Sequence, residues 1–343
     1  MSTCVSLDPG RSGPGPLARI ASESFARTLE EAVPIAIALG AIAPPPGEGQ
    51  SRDLWEAMAT IAAGDLGVAR LVEPHLDALA ILDQAGRKSS VVRSDDELWG
   101  VYAAEGGTDP LTATEQSGGW FLSGTKPWCS LASRLDRALV TAHLARGGRA
   151  LFAVDLGHEG VHVLADQWHA RGLTEVVSTA VEFAAVPAVP VGAPGWYLDR
   201  PGFEYGGIGV AACWFGGAVG IARTLFAAVA PEPDTLSAVH LGAIDIAIES
   251  GRRALLEATE VVDGSPNPRT AKILAKRVRG TVARACEEVI WRAAHALGPA
   301  PLALDNEHAK RVADLQLYIR QHHAERDDES LGALVAQSGV APW

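Results

Sequence analysis

The stretch GWFLSGTKPWCSLASRLDRALVTA, residues 119–142, decides the class of fold. It carries two short β-type runs, GWFLSG and the start of RALVTAHL, joined by a polar segment. Ser117-Gly118-Gly119-Trp120 leads into it as a tight hairpin turn, where glycine supplies the positive φ. Outward from this stretch the pattern repeats. LWGVYAA, LTATEQ, RALFAVDL, VHVL and VVSTAVEFAAV are further β-type runs bounded by turn signals, and Arg146-Gly147-Gly148-Arg149 reads as a second hairpin. Antiparallel β structure is expected over 97–192. The GxGxxG-then-helix pattern of a dinucleotide fold is missing.

On both sides of this block the period becomes helical. LARIASESFARTLEEAV places Leu17, Ile20, Ala21, Phe25, Leu29 and Val33 near helical spacing. Pro44-Pro45-Pro46 breaks the chain, and helical patterning resumes over 52–63 and 65–82 with Gly64 at the joint. This predicts an N-terminal helical domain over 17–96. The lead-in of residues 1–16 has no apolar h-region and reads as disordered. After the connector VPAVPVGAPGWYLDRPG, helices are expected near 206–229, 235–262, 268–297 and 306–327. Four long helices with short loops suggest a bundle within 193–330, with 331–343 as a tail. The reading is α+β: a helical domain, a central antiparallel β-barrel or sandwich, and a C-terminal four-helix bundle.

Composition agrees with a multidomain globular chain. With 343 residues, two or three domains are expected, and 48% hydrophobic against 20% charged residues leaves ample material for a core. A net charge of -12 repels phosphate backbones and argues against nucleic acid as a partner. Cys4, Cys129, Cys213 and Cys286 lie far apart with no CxxC pair, which fits reduced thiols in a cytoplasmic protein. Tyr205 to Ala222 runs 18 residues without a charge, long enough to raise a membrane span. Six glycines fall in it and Arg223 ends it, so a helix buried on all sides is expected, and no membrane.

Three strings, in order, resemble the acyl-CoA dehydrogenases. Gly124-Thr-Lys126-Pro-Trp128-Cys-Ser130-Leu-Ala132 is similar to that family's G-x-K-x-W-x-[ST]-x-[GA] strand. VYAAEGGTD (101–109) sits where the family has its first flavin-contacting strand and Glu-Pro-Gly loop. RGLTEVVSTAVEFAAVPAVP (171–190) resembles its exit strand. The resemblance covers nearly the whole chain. It implies a flavin, FAD with FMN as the alternative, whose ring needs a flat apolar face and hydrogen bonds at its N5 edge and pyrimidine carbonyls. Trp128 is then placed to cover one ring face and Ser130 to bond the N5/O4 edge. Backbone groups from Tyr102 through Ala104 to Glu105 would meet the pyrimidine side. Taken alone, Trp128 is equally readable as a core tryptophan, one of nine, and Ser130 as an exposed strand hydroxyl.

The departures are as informative. The family abstracts an α-proton with a glutamate placed after the last long helix or early in the first bundle helix. Here the first location carries His322, followed by His323 and Ala324, and the second falls near Val210. An imidazole can serve as a base near neutral pH. On a continuing helix Asp327 and Glu325 would lie within reach of His323 and His322. Adjacent histidines point about 100° apart on a helix and cannot share a metal ion. The R-x-x-F-G segment is replaced by APEPDTL (230–236), and the Q-x-x-G-G-x-G turn becomes 295–301 beginning at His295. Three functions follow as expectations. The first is oxidation of the CH–CH group of an acyl thioester, acyl-CoA or acyl-carrier-protein. The others are a flavin-dependent monooxygenase of the same superfamily, or a silent subunit paired with an active homologue. A homo-oligomer or mixed oligomer is expected through the C-terminal helices.

Overall fold

The computed structural model describes residues 4–11, 13–23, 26–86, 90–106, 109–164, 167–341 and 343. The chain opens with α1 (Pro16–Glu23), α2 (Leu29–Gly40), α3 (Ser51–Gly64) and α4 (Leu66–Ala85). The single helix expected over 17–33 is two helices. Thr28 and Glu31 form a capping box that starts α2, each satisfying a backbone N–H of the other's end. Phe25 lies outside the described residues. Asp65, in extended backbone, ends α3 and caps α4 by accepting from the Val68 N–H.

The lead-in differs from the disorder expected of it over residues 4–11. Val5 and Leu7 are buried, and their N–H groups donate to Thr60 Oγ1 (2.9 Å) and Glu56 Oε1 (2.8 Å) of α3. On the same face of α3, Asp53 accepts from the N–H groups of Leu17 and Ala18 at the start of α1. Inward-facing polar groups on α3 thus find backbone partners, which is what permits their burial.

Each β-type run holds one strand: β1 (Trp99–Tyr102), β2 (Thr112–Gln116), β3 (Gly119–Lys126), β4 (Arg137–Leu144), β5 (Arg149–Asp155), β6 (Val161–Val163) and β7 (Val181–Val191). Pairing runs β4–β2–β3–β7–β5 and returns to β4, with β6 on β7. The sheet is mixed where the sequence predicts antiparallel pairing throughout. Both β1 and β2 lie parallel to β4, because the hairpin β2–β3 intervenes in sequence between β1 and β4 and the chain crosses over to reach it.

The C-terminal part contains α5 (Trp196–Asp199), α6 (Pro201–Val229), α7 (Thr235–Asp263), α8 (Pro268–Leu297), α9 (Pro299–Leu304), α10 (Asn306–Tyr318) and α11 (Glu325–Ala336). Among the described residues, α6 is the one helix long and apolar enough to cross a membrane, and it runs through the core against α3 and α8. A Cβ on Gly216 would stand 2.1 Å from the Ala59 carbonyl oxygen, so only glycine lets α6 approach α3 this closely. The helix expected over 306–327 ends at Tyr318, tightens into a 3-10 turn over Ile319–Gln321, and restarts as α11, which runs into the expected tail. A second, smaller core cluster joins Ala78, Ile81 and Leu82 of α4 to Trp99, Leu139 and Leu151 of the sheet. That cluster fixes α4 against β1, and the site lies beside it.

Candidate functional site

A cavity of about 600 Å³ lies between α4, the end of β1, the segment after β3, and the end of α10. Its apolar walls include Leu71, Val101, Leu131, Leu135, Leu173 and Val210. Trp128 and Ser130 line it, as do Tyr102 to Ala104. The two side chains are not on a strand as the sequence motif suggests: β3 stops at Lys126, because Pro127 has no N–H to continue the ladder. Trp128 and Leu131 both take φ of 60°, a left-handed conformation unusual for bulky residues. The turn is held by Cys129 N–H to Thr179 O (2.9 Å), Leu131 N–H to Val177 O (2.8 Å) and the Tyr102 hydroxyl to Ser130 O (3.0 Å). Trp128 is 62% exposed, so it is not a core tryptophan.

Ser130 is already engaged. Its Oγ accepts from Arg70 Nη2 at 3.0 Å and lies 2.8 Å from Ser178 Oγ. Ser178 donates its own proton to Val176 O (2.9 Å), so within the hydroxyl pair Ser130 is the donor. The loop between β1 and β2 is anchored to the sheet through Glu105. Glu105 accepts from Lys126 Nζ (2.9 Å) and pairs with Arg149 (3.0 Å) and His143 Nε2 (2.8 Å). Burial pushes the Glu105 carboxyl up, but Lys126, Arg149 and His143 together hold it at about 2. Gly107 and Thr108 of the same loop lie outside the described residues.

The inner wall comes from one face of α4, where Arg70, Glu73 and Asp77 are spaced by three and four residues. Arg70 Nη1 donates to Glu73 Oε2 at 3.1 Å, and its guanidinium lies over the Tyr318 ring, 4.9 Å from the centroid. The Tyr318 hydroxyl reaches the same Glu73 oxygen at 3.5 Å. Burial pushes the Glu73 carboxyl up to about 7, Arg70 opposing. Asp77 is also raised by burial, against Arg200 at 3.6 Å. Burial acts to lower the Arg70 pKa, but Tyr318 and Glu73 outweigh it, and the guanidinium stays charged. The sequence signal for these residues was available: three charges on one face of LGVARLVEPHLDALAIL, an otherwise apolar helix.

Of the two histidines, the cavity takes the other one. His323 lines it, whereas the His322 ring turns toward Gly280 of α8. His322 Nδ1 accepts from the Ala324 N–H (3.2 Å), which places the proton of the neutral ring on Nε2, 3.8 Å from Asp327. Burial lowers the His322 pKa. The reason is the helix break: once α10 stops at Tyr318, helical register no longer says which way residue 322 points. Arg279 captures the Gln321 carbonyl at 3.0 Å and Ala324 takes φ of 47° at the turn. Glu325 is exposed on the first turn of α11, and Glu204 does not line the cavity. Val210 does, so the second expected position of the base falls where the resemblance puts it, with an apolar side chain.

Asp65, Glu175 and Asp314 form a three-carboxylate group. The Lys310 ammonium already fills it, 2.7 Å from Glu175, 2.7 Å from Asp314 and 3.0 Å from Asp65. It pins α4, the 172–178 loop and α10 together.

No protein-family model matches the chain, and no curated protein sequence matches it. Solved structures do. The dibenzothiophene monooxygenase TdsC from Paenibacillus sp. A11-2 aligns with a TM-score of 0.73 at 18% identity, over 92% of this chain and 95% of that one. KijD3, in complex with FMN and dTDP-3-amino-2,3,6-trideoxy-4-keto-3-methyl-D-glucose, aligns with a TM-score of 0.76 at 18% identity over 96% and 95%. Butyryl-CoA dehydrogenase from Megasphaera elsdenii aligns with a TM-score of 0.75 at 14% identity over 94% and 99%.

Proposed function

We propose, from the premise that the chain has the acyl-CoA dehydrogenase fold, that it is a flavin-dependent oxidoreductase acting on a small molecule. The observation that carries this is the cavity itself, with Trp128 held out from the core by strained backbone at its mouth. The donor set fits a flavin: an uncovered indole face for the ring, the Ser130 and Ser178 hydroxyls beside it, and the backbone of Tyr102 to Ala104 along one wall. Neighbours of the same fold were crystallised with FMN, TdsC together with indole and KijD3 with a dTDP-sugar.

FMN suits this chain better than FAD. Both elements that would hold an adenine are altered: residues 230–236 lack arginine and phenylalanine, and the His295 ring packs at a tilt against Trp291, centroids 4.3 Å apart. A flavin supplies the two-electron oxidation, and the protein's part is to seat the ring, exclude water and handle the proton. A cavity of this size, shared with a flavin ring, limits the reacting part of the substrate to a small group.

Oxidation of the CH–CH group of an acyl thioester is the leading reaction. Monooxygenation is the second, and a specific observation favours it: neither expected base position carries a carboxylate, while His323 faces the cavity. Titrating the purified protein with FMN and with FAD tests the proposal, read by quenching of flavin fluorescence. Micromolar FMN binding, largely lost in Trp128→Ala and retained in Ser130→Ala, is the expected result. No binding of either flavin would overturn the proposal and leave a catalytically silent subunit as the reading.

A further inference from the structure

The mechanism expected of this fold needs a group that takes a proton from the substrate, and the bundle helices do not provide one. The cavity does hold two carboxylates on a different element, Glu73 and Asp77 of α4, and Asp77 is paired with Arg200. We propose that Glu73 of α4 is the proton acceptor of the cavity, oriented by Arg70 and Tyr318. This rests on the flavin-dependent reading above.

Three observations converge on it. Glu73 lines the cavity although the residue is only 5% exposed. The second cavity that it also borders, of about 30 Å³, has room for little more than a water molecule, so a small-molecule substrate would meet Glu73 from the larger one. Its Oε2 receives both neighbours, Arg70 Nη1 at 3.1 Å and the Tyr318 hydroxyl at 3.5 Å, and no hydrogen bond to Oε1 is present among the described residues. Arg70 also donates to Ser130 Oγ at 3.0 Å, so a single planar guanidinium fixes the carboxylate relative to the hydroxyl placed for the flavin edge. Charged and titratable groups face Glu73 from several elements: Arg70 and Asp77 along α4, Tyr318 of α10, Arg279 of α8, Cys213 of α6 and Tyr197 of α5. Burial and Asp77 disfavour its charge while the two arginines and the tyrosine favour it, a balance that leaves the group in the neutral range where a base is most effective.

The step balances simply. The bond that breaks is the substrate's acidic C–H, the bond that forms is O–H on Glu73, and the electron pair stays with the substrate for the oxidation. Arg70 keeps its charge and donates to the carboxyl group in both states. Glu73 is catalytic in this scheme; Arg70 is a positioning residue.

The test uses protein labelled with ¹³C at the glutamate carboxyls. Infrared titration of the flavin-free protein should show one carboxyl ionising in the neutral range, absent in Glu73→Gln and present in Glu73→Asp. With FMN bound and butanoyl-CoA as probe, the parent should exchange the α-hydrogens in D₂O, read by NMR without any need for flavin reduction. Glu73→Gln should slow that exchange by about 10²- to 10⁴-fold, with Glu73→Asp in between and FMN affinity unchanged in both. A carboxyl that titrates in the ordinary range overturns the proposal. So does equal exchange by Glu73→Gln and parent, or no exchange by the parent. FMN affinity, measured in the same samples, tests the flavin reading separately.

Discussion

Replacing Lys310 with methionine removes the cation but keeps most of the side-chain volume, leaving Asp65, Glu175 and Asp314 facing one another. Their ligand oxygens lie within 4.8 Å. At an effective dielectric of about 20, two unit charges at that separation repel by roughly 3 kcal/mol. Three ionised carboxylates cannot persist against three such terms, so at least one protonates. Holding a carboxyl protonated at pH 7 costs up to about 4 kcal/mol, at roughly 1.4 kcal/mol per unit from its ordinary pKa. Protonation is therefore the less costly route, and it gives a loss of about 3 to 5 kcal/mol at pH 7, the range found when one partner of a buried ion pair is deleted.

The pH dependence has a definite sign. In the parent, burial pushes the Glu175 carboxyl up, but Lys310 dominates and the net shift is downward. Glu175 therefore contributes stability above its unfolded pKa that is lost as the pH falls through its lower folded value. In Lys310→Met the carboxyls are raised instead, so their contribution is present at low pH and lost as pH rises. Asp314, which burial already pushes up in the parent, protonates first. Urea unfolding at pH 7 and pH 5 should show the deficit shrinking on acidification. A loss under about 1 kcal/mol at pH 7, or a deficit that grows toward pH 5, would refute the reasoning.

Lys126→Met should flatten the acid limb of the stability curve between about 4.5 and about 2. In that window Glu105 now loses its stabilising charge as pH falls. The cost at neutral pH should be near 1 kcal/mol in urea melts, because Arg149 and His143 remain. Gly216→Ala places a methyl against the Ala59 backbone and should cost about 3 kcal/mol or prevent folding. Gly242→Ala on α7, with nothing within 4 Å, should stabilise by about 0.5 to 1 kcal/mol in the same assay. His323→Ala should change flavin turnover while His322→Ala leaves it near the parent's, and the reverse result would mean that the loop rearranges on binding. Light scattering at micromolar concentration should show a dimer or larger. Ile273 to Ile290 of α8 are mostly covered by α6 and α7, but Leu236, Val239 and Ile246 of α7 and Trp291 of α8 remain exposed, and Ile246→Glu should weaken the assembly.

The strands were legible because period-2 patterning and glycine turns are local. All seven β-type runs contain one, and both glycine hairpins fall where expected, with Gly119, Gly147 and Gly148 at positive φ. The two-helix start was equally local: Thr28-Leu-Glu-Glu31 is a capping box in sequence, and periodicity alone runs through it. The end of α10 was not legible. No glycine or proline stands between Tyr318 and Ala324, and the break is made by long-range partners, above all Arg279 from α8 on the Gln321 carbonyl. That non-local contact moves the cavity histidine from 322 to 323. Glu73 escaped for a different reason: the α4 face was readable as an apolar helix with three charges, but only the tertiary fold shows that the charges face a cavity instead of solvent.

The Trp128 turn points to a ligand more strongly than its sequence motif does. Two left-handed residues, Trp128 and Leu131, cost on the order of 1 to 3 kcal/mol each. The three hydrogen bonds that hold the turn return about 1 kcal/mol apiece. That roughly offsets the strain and leaves nothing over for stability. The indole gains little from burial, since most of it is exposed. Trp128 thus adds little to folding in the backbone conformation it is made to adopt, while the Lys126–Glu105 ion pair ties down the end of β3 just before it. Strain that a fold maintains without a stability gain is expected where a surface serves something outside the chain, and this supports the proposed reading of Trp128 as the seat of a flat ring.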